Sequence, residues 1–329
     1  MILFQQMKIS TIVCFLAILL IPKTVQCWGF YGHKKINYMA VFTLPEGMFP
    51  FFKKHIEWLT EHAVDADKRR YGTSNEAPRH YIDIDHYGEH PFDSVPVYWK
   101  DAVAKFSQDT LEAYGVVPWH IHRMCFQLEE AFKEGDVGRI LYLAANMGHY
   151  VGDAHVPLHT TENYNGQLTN QIGIHGFWES RVPELYGDTY DYFIGKANYV
   201  SKTQLKAWEY VKESHLALDS VLRFEKLLSS QYGDDQKYAF EQRGNMNVRV
   251  YSQAFSKAYS DMLNGMQERR MRAAIIAVGS LWYTCWLNAG SPDLAIIDTK
   301  EVSDSLRNVM KEEELLWNKG VIKSRDHEH

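Results

Sequence analysis

Two histidine–carboxylate pairs, each separated by four residues, constrain this chain more than any other feature. They are His149/Asp153, within the segment HYVGDAHVPLH, and His175/Glu179, within HGFWE. On an α-helix this spacing places both side chains on one face, one turn apart, where they can converge on one ion. Imidazole and carboxylate groups together suit Zn²⁺, and His159 ends the first segment as a further candidate ligand. The pattern therefore predicts helices that carry a zinc site.

The rest of the chain also has a helical pattern. Apolar residues recur at spacings of three and four, and no sustained strand alternation or internal repeat is present. The predicted helices cover residues 33–42, 51–64, 99–114, 122–133, 137–154, 175–185, 203–228, 248–263 and 266–288. The sequence predicts an all-α fold with a single multi-helix domain.

The two ends of the chain differ from this domain in composition. Residues 1–27 have the pattern of a secretory signal peptide, with an apolar run too short to span a membrane comfortably. We therefore expect a secreted or periplasmic protein whose mature chain starts at Trp28 and has no transmembrane segment. The predicted domain covers 28–290, and 291–329 is expected to be a C-terminal extension or solvated tail.

Charge and cysteine content exclude some classes of function. The formal net charge of −6 shows no basic excess, so tight nucleic-acid binding driven by counterion release is not indicated. Beyond the predicted signal only Cys125 and Cys285 remain, without the CxxC spacing of a thiolate zinc site. Both lie in apolar helical segments, where one disulfide or two buried thiols are equally compatible with the sequence. No protein partner is indicated.

Four more candidate ligands precede the central motif. Trp28 follows the predicted signal, His33 lies in the first helix, Asp67 closes a helix, and His80 lies in a loop in the context HYID. Each has an ordinary structural interpretation when taken singly, such as helix capping for His33 or an ion pair with a neighbouring arginine for Asp67.

Taken in order, these residues resemble the zinc-dependent phospholipase C and single-strand-specific zinc nuclease superfamily of fungal and plant type. Members of that superfamily begin the mature chain with Trp, followed by an early His, an Asp and a His in an H-[FY]-x-D context. They then present an H-x₃-D-x₅-H segment and a final H-x₃-[DE]. This chain supplies each step in order over roughly residues 28–180.

The resemblance implies a trinuclear zinc site in a cleft of an all-α domain. It assigns one Zn²⁺ to Asp67, His80 and His149, a second to the Trp28 backbone and His33 with Asp153 bridging these two, and a third to His159, His175 and Glu179. It also implies hydrolysis of phosphodiesters by a metal-activated water, with Asp67 and Asp153 as catalytic residues.

The substrate class is less sharply specified. The spacing from Trp28 to His33 is typical of the nucleases, and Glu179 is typical of the phospholipases. The nucleases carry a Trp where this chain has Asp65, whereas Tyr81 is a candidate for stacking on a base or facing a headgroup. We expect action on single-stranded nucleic acid or nucleotides, as a single-strand nuclease or 3′-nucleotidase. The alternatives are a phospholipase C acting on phospholipid and a non-catalytic zinc-binding protein.

Overall fold

The computed structural model describes residues 29–70, 72–73, 75–244, 246–298 and 304–318. The predicted signal peptide, Trp28 and the last eleven residues lie outside the described residues.

Helices form nearly all of the regular structure that the described residues contain. The α-helices are α1 Gly29–Ala40, α2 Phe49–Lys54, α3 Ile56–Glu61, α4 Asp65–Arg69, α5 Pro91–Ser94, α6 Trp99–Phe106, α7 Gln108–Tyr114, α8 Val117–Glu134, α9 Val137–Ala154, α10 Ile174–Gly176, α11 Val182–Tyr186, α12 Thr203–Ser229, α13 Asp234–Lys237, α14 Gln253–Met262, α15 Met266–Asn288, α16 Leu294–Ile297 and α17 Asp304–Asn318. Short 3₁₀ turns join several of them, and a π-helical turn, Phe177–Arg181, joins α10 to α11. The all-α prediction is confirmed.

One predicted helix, 248–263, is wrong over its first part. Strands β1 Tyr238–Arg243 and β2 Met246–Tyr251 pair there as an antiparallel hairpin, with Phe240 opposite Arg249. The strand ends at Tyr251, whose ring stacks on Phe177 at 3.8 Å and so anchors the hairpin to the core. This long-range contact overrides the helical spacing of the apolar residues.

Two predicted long helices are interrupted. Segment 99–114 breaks at Ser107, whose positive φ of 68° ends α6, while its hydroxyl accepts a hydrogen bond from the Thr110 N–H and caps α7. Segment 51–64 becomes α2, α3 and a 3₁₀ turn, with His55 between the helices. Each predicted helix is therefore two shorter helices.

Helix α9 is the centre of the fold. It is buried along almost its whole length and packs against α1, α8 and α15. The Trp282 indole of α15 donates to the carbonyl of Ala144 at 3.1 Å and stacks on Phe52 of α2. Because α9 is surrounded, its polar residues His149 and Asp153 are carried into the interior.

A close contact between α1 and α9 sets the spacing of two candidate ligands. The Asn37 amide donates to the carbonyls of Leu59 and Ala145, which ties α1 to both neighbours. A Cβ on Gly148 would lie 1.8 Å from Asn37 Oδ1, and one on Gly152 would lie 2.9 Å from His33 Nδ1. The two glycines thus let α1 approach α9 closely enough to bring His33 beside it.

The C-terminal extension includes a helix that contacts the domain. In α17, Glu313 accepts hydrogen bonds from the Tyr142 hydroxyl at 2.7 Å and from Arg69 at 3.4 Å. Cys125 and Cys285 are buried free thiols. Of the helices in the described part of the chain, none is long and apolar enough to cross a membrane.

Replacing Gly148 should destabilise the fold. We expect Gly148→Ala to lower the free energy of unfolding by about 1–3 kcal/mol, because the new methyl group overlaps the buried Asn37 side chain. Gly176→Ala is the control, since no atom lies within 4 Å of the added Cβ. Urea denaturation measures both variants, and equal stability of the two would refute the close α1–α9 contact.

Candidate metal centre

Eight of the predicted ligands lie in the described residues, and their side chains converge. They form four overlapping groups whose ligand atoms lie within 4.8 Å of one another: His33/Asp67/His149, His80/His149/Asp153, His159/His175/Glu179 and His33/Asp153/Glu179. The ninth, Trp28, lies outside the described residues.

The first expected set is close together. His80 Nδ1 and His149 Nε2 lie 3.0 Å apart. Asp67 Oδ1 lies 3.5 Å from His149 Nε2 and 3.7 Å from His80 Nδ1. These residues come from α4, the loop after a 3₁₀ turn, and α9, so their proximity is a product of tertiary packing.

Asp153 lies between this set and His33. Its Oδ2 is 2.9 Å from His80 Nδ1 and 3.3 Å from His149 Nε2, whereas its Oδ1 is 3.4 Å from His33 Nε2. Each carboxylate oxygen therefore faces a different group of histidines, which is the arrangement that a bridging ligand needs.

The third expected set also assembles. Glu179 Oε2 lies 2.6 Å from His175 Nε2 and 3.3 Å from His159 Nε2. His175 lies in α10 and Glu179 lies in the π-helical turn that follows. The four-residue spacing still brings the two side chains together. Short π-helical turns occur frequently at functional sites.

Backbone carbonyls orient three of the imidazoles. The Nδ1–H groups of His149, His159 and His175 donate to the carbonyls of Ala63, His80 and Tyr164, at 2.9, 2.6 and 3.2 Å. An imidazole that donates through Nδ1 keeps its lone pair on Nε2, and in all three rings Nε2 faces the cluster. This second contact is the usual way in which a protein fixes a metal-ligating histidine.

The composition of the cluster fits divalent cations. Five imidazoles and three carboxylates lie together, and all of them are buried except Asp67, whose side chain is 23% exposed. Buried carboxylates are costly without compensating positive charge, and nitrogen and oxygen donors without thiolate suit zinc. Asp67 also lies 3.5 Å from the Arg70 guanidinium, and it is the cluster member most open to solvent.

The electrostatics of the histidines and carboxylates are coupled. Burial alone would lower the pKa of His149, but the carboxylates of Asp153 and Asp67 outweigh it and raise that pKa to about 9. Burial would likewise lower the pKa of His159, but the carboxylates of Asp153 and Glu179 outweigh it and raise that pKa to about 9. Burial disfavours the Asp153 carboxylate, yet His149 and His159 hold its pKa well below the usual range.

A buried polar network beside His80 was missed by sequence reasoning. Glu76 Oε1 lies 3.7 Å from His80 Nε2 and accepts a hydrogen bond from the Tyr150 hydroxyl. Arg69 donates to Tyr150 at 3.1 Å and to Asn146 at 2.6 Å. Asn146 and Tyr150 share one face of α9, a four-residue spacing that is the one sequence signal of this network.

Two residues near His80 make structural contacts. Asp85 accepts hydrogen bonds from Thr161 and the Glu162 N–H, so it supports the loop after His159. Tyr81 is only 6% exposed, and its hydroxyl donates to the carbonyl of Ala113. Gly115 packs against its backbone and ring, so Tyr81 offers no open face for a base or headgroup.

A model of the S1/P1 nuclease family matches residues 28–274. No curated protein matches the sequence. Among solved structures, the chain is similar to the crystal structure of Clostridium perfringens alpha-toxin isolated from avian strain SWCP, with 15% identity and a TM-score of 0.42. That similarity covers 80% of this chain and 65% of the toxin chain, so this chain spans less than two thirds of the toxin's length.

The family match covers well over half of the chain and includes all eight described residues of the cluster. The buried histidine–carboxylate cluster and most of the helical fold lie within the matched residues. The chain belongs to the S1/P1 nuclease family, which confirms the resemblance read from the spaced motifs.

The benefit of bound zinc for stability should grow with pH. Without metal, protonated His149 and His159 have folded-state pKa values of about 9, above the ordinary 6.5, so they stabilise the fold below pH 6.5. That stabilisation is lost as the pH rises through 9, while zinc binding, which requires neutral imidazoles, strengthens. Calorimetry at fixed free zinc should show a difference in Tm between loaded and metal-free protein that widens from pH 6.5 to 9. A constant difference would contradict the coupling.

Proposed function

We propose that this protein is a zinc-dependent single-strand nuclease with 3′-nucleotidase-like activity. The observation that carries the proposal is the convergence of eight histidine and carboxylate side chains from six parts of the chain in one buried cluster. The family match over residues 28–274 supports the nuclease assignment.

We assign three zinc ions to this cluster. Asp67, His80 and His149 would hold one ion, and His159, His175 and Glu179 would hold another. The distances of 3.0–3.7 Å within the first set and 2.6–3.3 Å within the second support these assignments. A third ion would be held by His33 and the Trp28 backbone, with Asp153 shared between this ion and the first.

Zinc ions held in this way would activate a water as the nucleophile and neutralise charge on the phosphoryl group. The chain's own residues determine where that chemistry occurs. Asp67, the most exposed carboxylate of the cluster, is placed to orient the attacking water and accept its proton. Arg70, 3.5 Å from Asp67, places a positive charge at the same opening, where the anionic substrate must enter. Asp153 contacts His80 through one oxygen and His33 through the other, and so fixes the positions of these two histidines relative to each other.

A phospholipase C activity is the second candidate, and two observations favour it. Asp65 stands where the nucleases carry Trp, and it accepts a hydrogen bond from Lys68 at 2.7 Å and pairs with His62. Tyr81 is buried. Two positions at which a nucleobase could stack therefore offer no aromatic surface, while a small headgroup needs none.

A panel of substrates separates these activities. We expect the zinc-loaded protein to cleave bis(p-nitrophenyl) phosphate, which identifies a catalyst irrespective of the natural substrate. Single-stranded DNA, RNA and a 3′-nucleotide should then be hydrolysed faster than phosphatidylcholine. Hydrolysis of phosphatidylcholine alone would establish the phospholipase C alternative. No turnover of any substrate by protein with full zinc content would establish a non-catalytic zinc-binding protein.

Asp153 should be the most damaging single position. We expect Asp153→Asn to remove more than one zinc ion and to abolish hydrolysis, because its two oxygens face different groups of histidines. The Tm should also fall, since bound zinc contributes to the folding free energy. Asp219→Asn, an exposed carboxylate paired with Arg223, is the control. Elemental analysis measures the metal content, and full zinc occupancy in Asp153→Asn would refute the bridging role.

We also propose that the protein is exported and cleaved before Trp28. The reason is chemical, since only a free amino terminus lets the Trp28 nitrogen act as an amine ligand beside its carbonyl. Amino-terminal sequencing of the exported protein tests this, and a mature chain that begins elsewhere would remove Trp28 from the ligand set.

A further inference from the structure

His80 is oriented differently from the other four histidines of the cluster. It faces the cluster through Nδ1, which lies 2.9 Å from Asp153 Oδ2 and 3.0 Å from His149 Nε2. The other four, His33, His149, His159 and His175, face the cluster through Nε2. A neutral imidazole that offers the lone pair of Nδ1 to a metal ion carries its proton on Nε2. His80 therefore needs a hydrogen-bond acceptor at Nε2, on the side of the ring that faces away from the cluster.

The Nε2 atom of His80 is buried without a hydrogen-bond partner. The residue is only 1% exposed, and within the described part of the chain no acceptor lies at hydrogen-bonding distance from this nitrogen. A buried N–H group without an acceptor costs free energy, so native structures rarely keep one. The group that satisfies Nε2 when a metal ion occupies the cluster must come from the residues behind the ring.

The Glu76 carboxylate lies behind the ring. Its Oε1 atom is 3.7 Å from His80 Nε2, which is about 0.5–1 Å longer than a hydrogen bond. Glu76 is as buried as His80, at 1% exposed, so the space between the two side chains is shielded from solvent. A small shift of either side chain would bring the N–H group and the carboxylate oxygen into contact.

Three donors hold the Glu76 carboxylate in this place. Arg79 donates to Oε2 at 2.7 Å, the Tyr150 hydroxyl donates to Oε1, and Arg69 donates to Oε1 at 3.4 Å. The two guanidinium groups compensate the buried negative charge. An ionised carboxylate accepts about four hydrogen bonds, so three donors leave capacity for the N–H group of His80. Glu76 is therefore a fixed acceptor with one unused position.

We propose that Glu76 is a positioning residue of the metal centre, which accepts the Nε2–H of His80 and holds the Nδ1 lone pair toward the cluster. This inference rests on the proposed assignment of one zinc ion to Asp67, His80 and His149. A carboxylate behind an imidazole ligand fixes its tautomer and orientation and makes the ligating nitrogen more basic. Glu76 thus does for His80 what backbone carbonyls do for three of the other imidazoles, and it adds a negative charge. The affinity for this ion depends on Glu76, although Glu76 does not touch the ion.

The first test measures zinc affinity by competition with a chelator, in the unaltered protein and in two variants of Glu76. We expect Glu76→Ala to weaken the binding of one ion by about 10–100-fold. Glu76→Gln should weaken it less, because the amide oxygen keeps an acceptor but not the charge. Leu128→Ala, at a fully buried position of α8 outside the cluster, is the control for lost stability. It should lower the Tm and leave the zinc affinity unchanged, whereas equal losses of zinc affinity in Leu128→Ala and Glu76→Ala would overturn the positioning role.

Nitrogen-15 NMR of the zinc-loaded, histidine-labelled protein tests the geometry without relying on the stability of a variant. His80 should carry its proton on Nε2 and bind metal through Nδ1, whereas His149, His159 and His175 should carry theirs on Nδ1. The Nε2–H signal that moves in Glu76→Gln identifies His80, and a zinc-loaded His80 with its proton on Nδ1 would overturn the inference.

The zinc content of the unaltered protein separates this inference from the function on which it rests. Absence of zinc from the unaltered protein would overturn the zinc assignment and the role of Glu76 together. Full zinc content, with an affinity that Glu76→Ala leaves unchanged, would overturn the role of Glu76 alone.

Discussion

The Asp153 carboxylate is the interaction on which the site depends. It is buried at the end of the central helix, and four imidazoles surround it at 2.9–3.7 Å: His33, His80, His149 and His159. These come from α1, the loop before α5, α9 itself and the turn that follows it. A buried carboxylate is stable only with compensating charge, so one side chain requires four parts of the chain to meet.

The fold meets this requirement through close helix packing. Glycines on α9 allow α1 to approach, and Asn37 ties α1 to the carbonyls of two neighbouring segments. The carbonyls of Ala63, His80 and Tyr164 then fix three imidazole rings from behind. The geometry of the candidate ligands is therefore set by backbone positions that also belong to the core, rather than by flexible side chains alone.

A second polar layer lies beside the histidine–carboxylate cluster. Glu76 faces His80 on one side and accepts from Arg79 on the other, and Tyr150 and Arg69 complete its surroundings. Burial would raise the pKa of Glu76, but the contacts with His80 and the arginines hold it far below its ordinary range. Glu76 is thus a buried anion beside the histidine–carboxylate cluster, although neither histidine spacing nor helical periodicity points to it.

The sequence by itself determined the local part of this protein. The four-residue spacings of His149/Asp153 and His175/Glu179 placed each pair on one helical face, and α9 has the bounds that its apolar spacing predicts, Val137–Ala154. Helical hydrogen bonding repeats along the chain, so such local relations can be read from spacing. Tertiary packing alone decided the rest. It placed Asp67 and His80 beside α9, buried Tyr81, and formed the hairpin that stacks Tyr251 on Phe177. These depend on contacts between residues far apart in the chain, whose energies no local pattern contains.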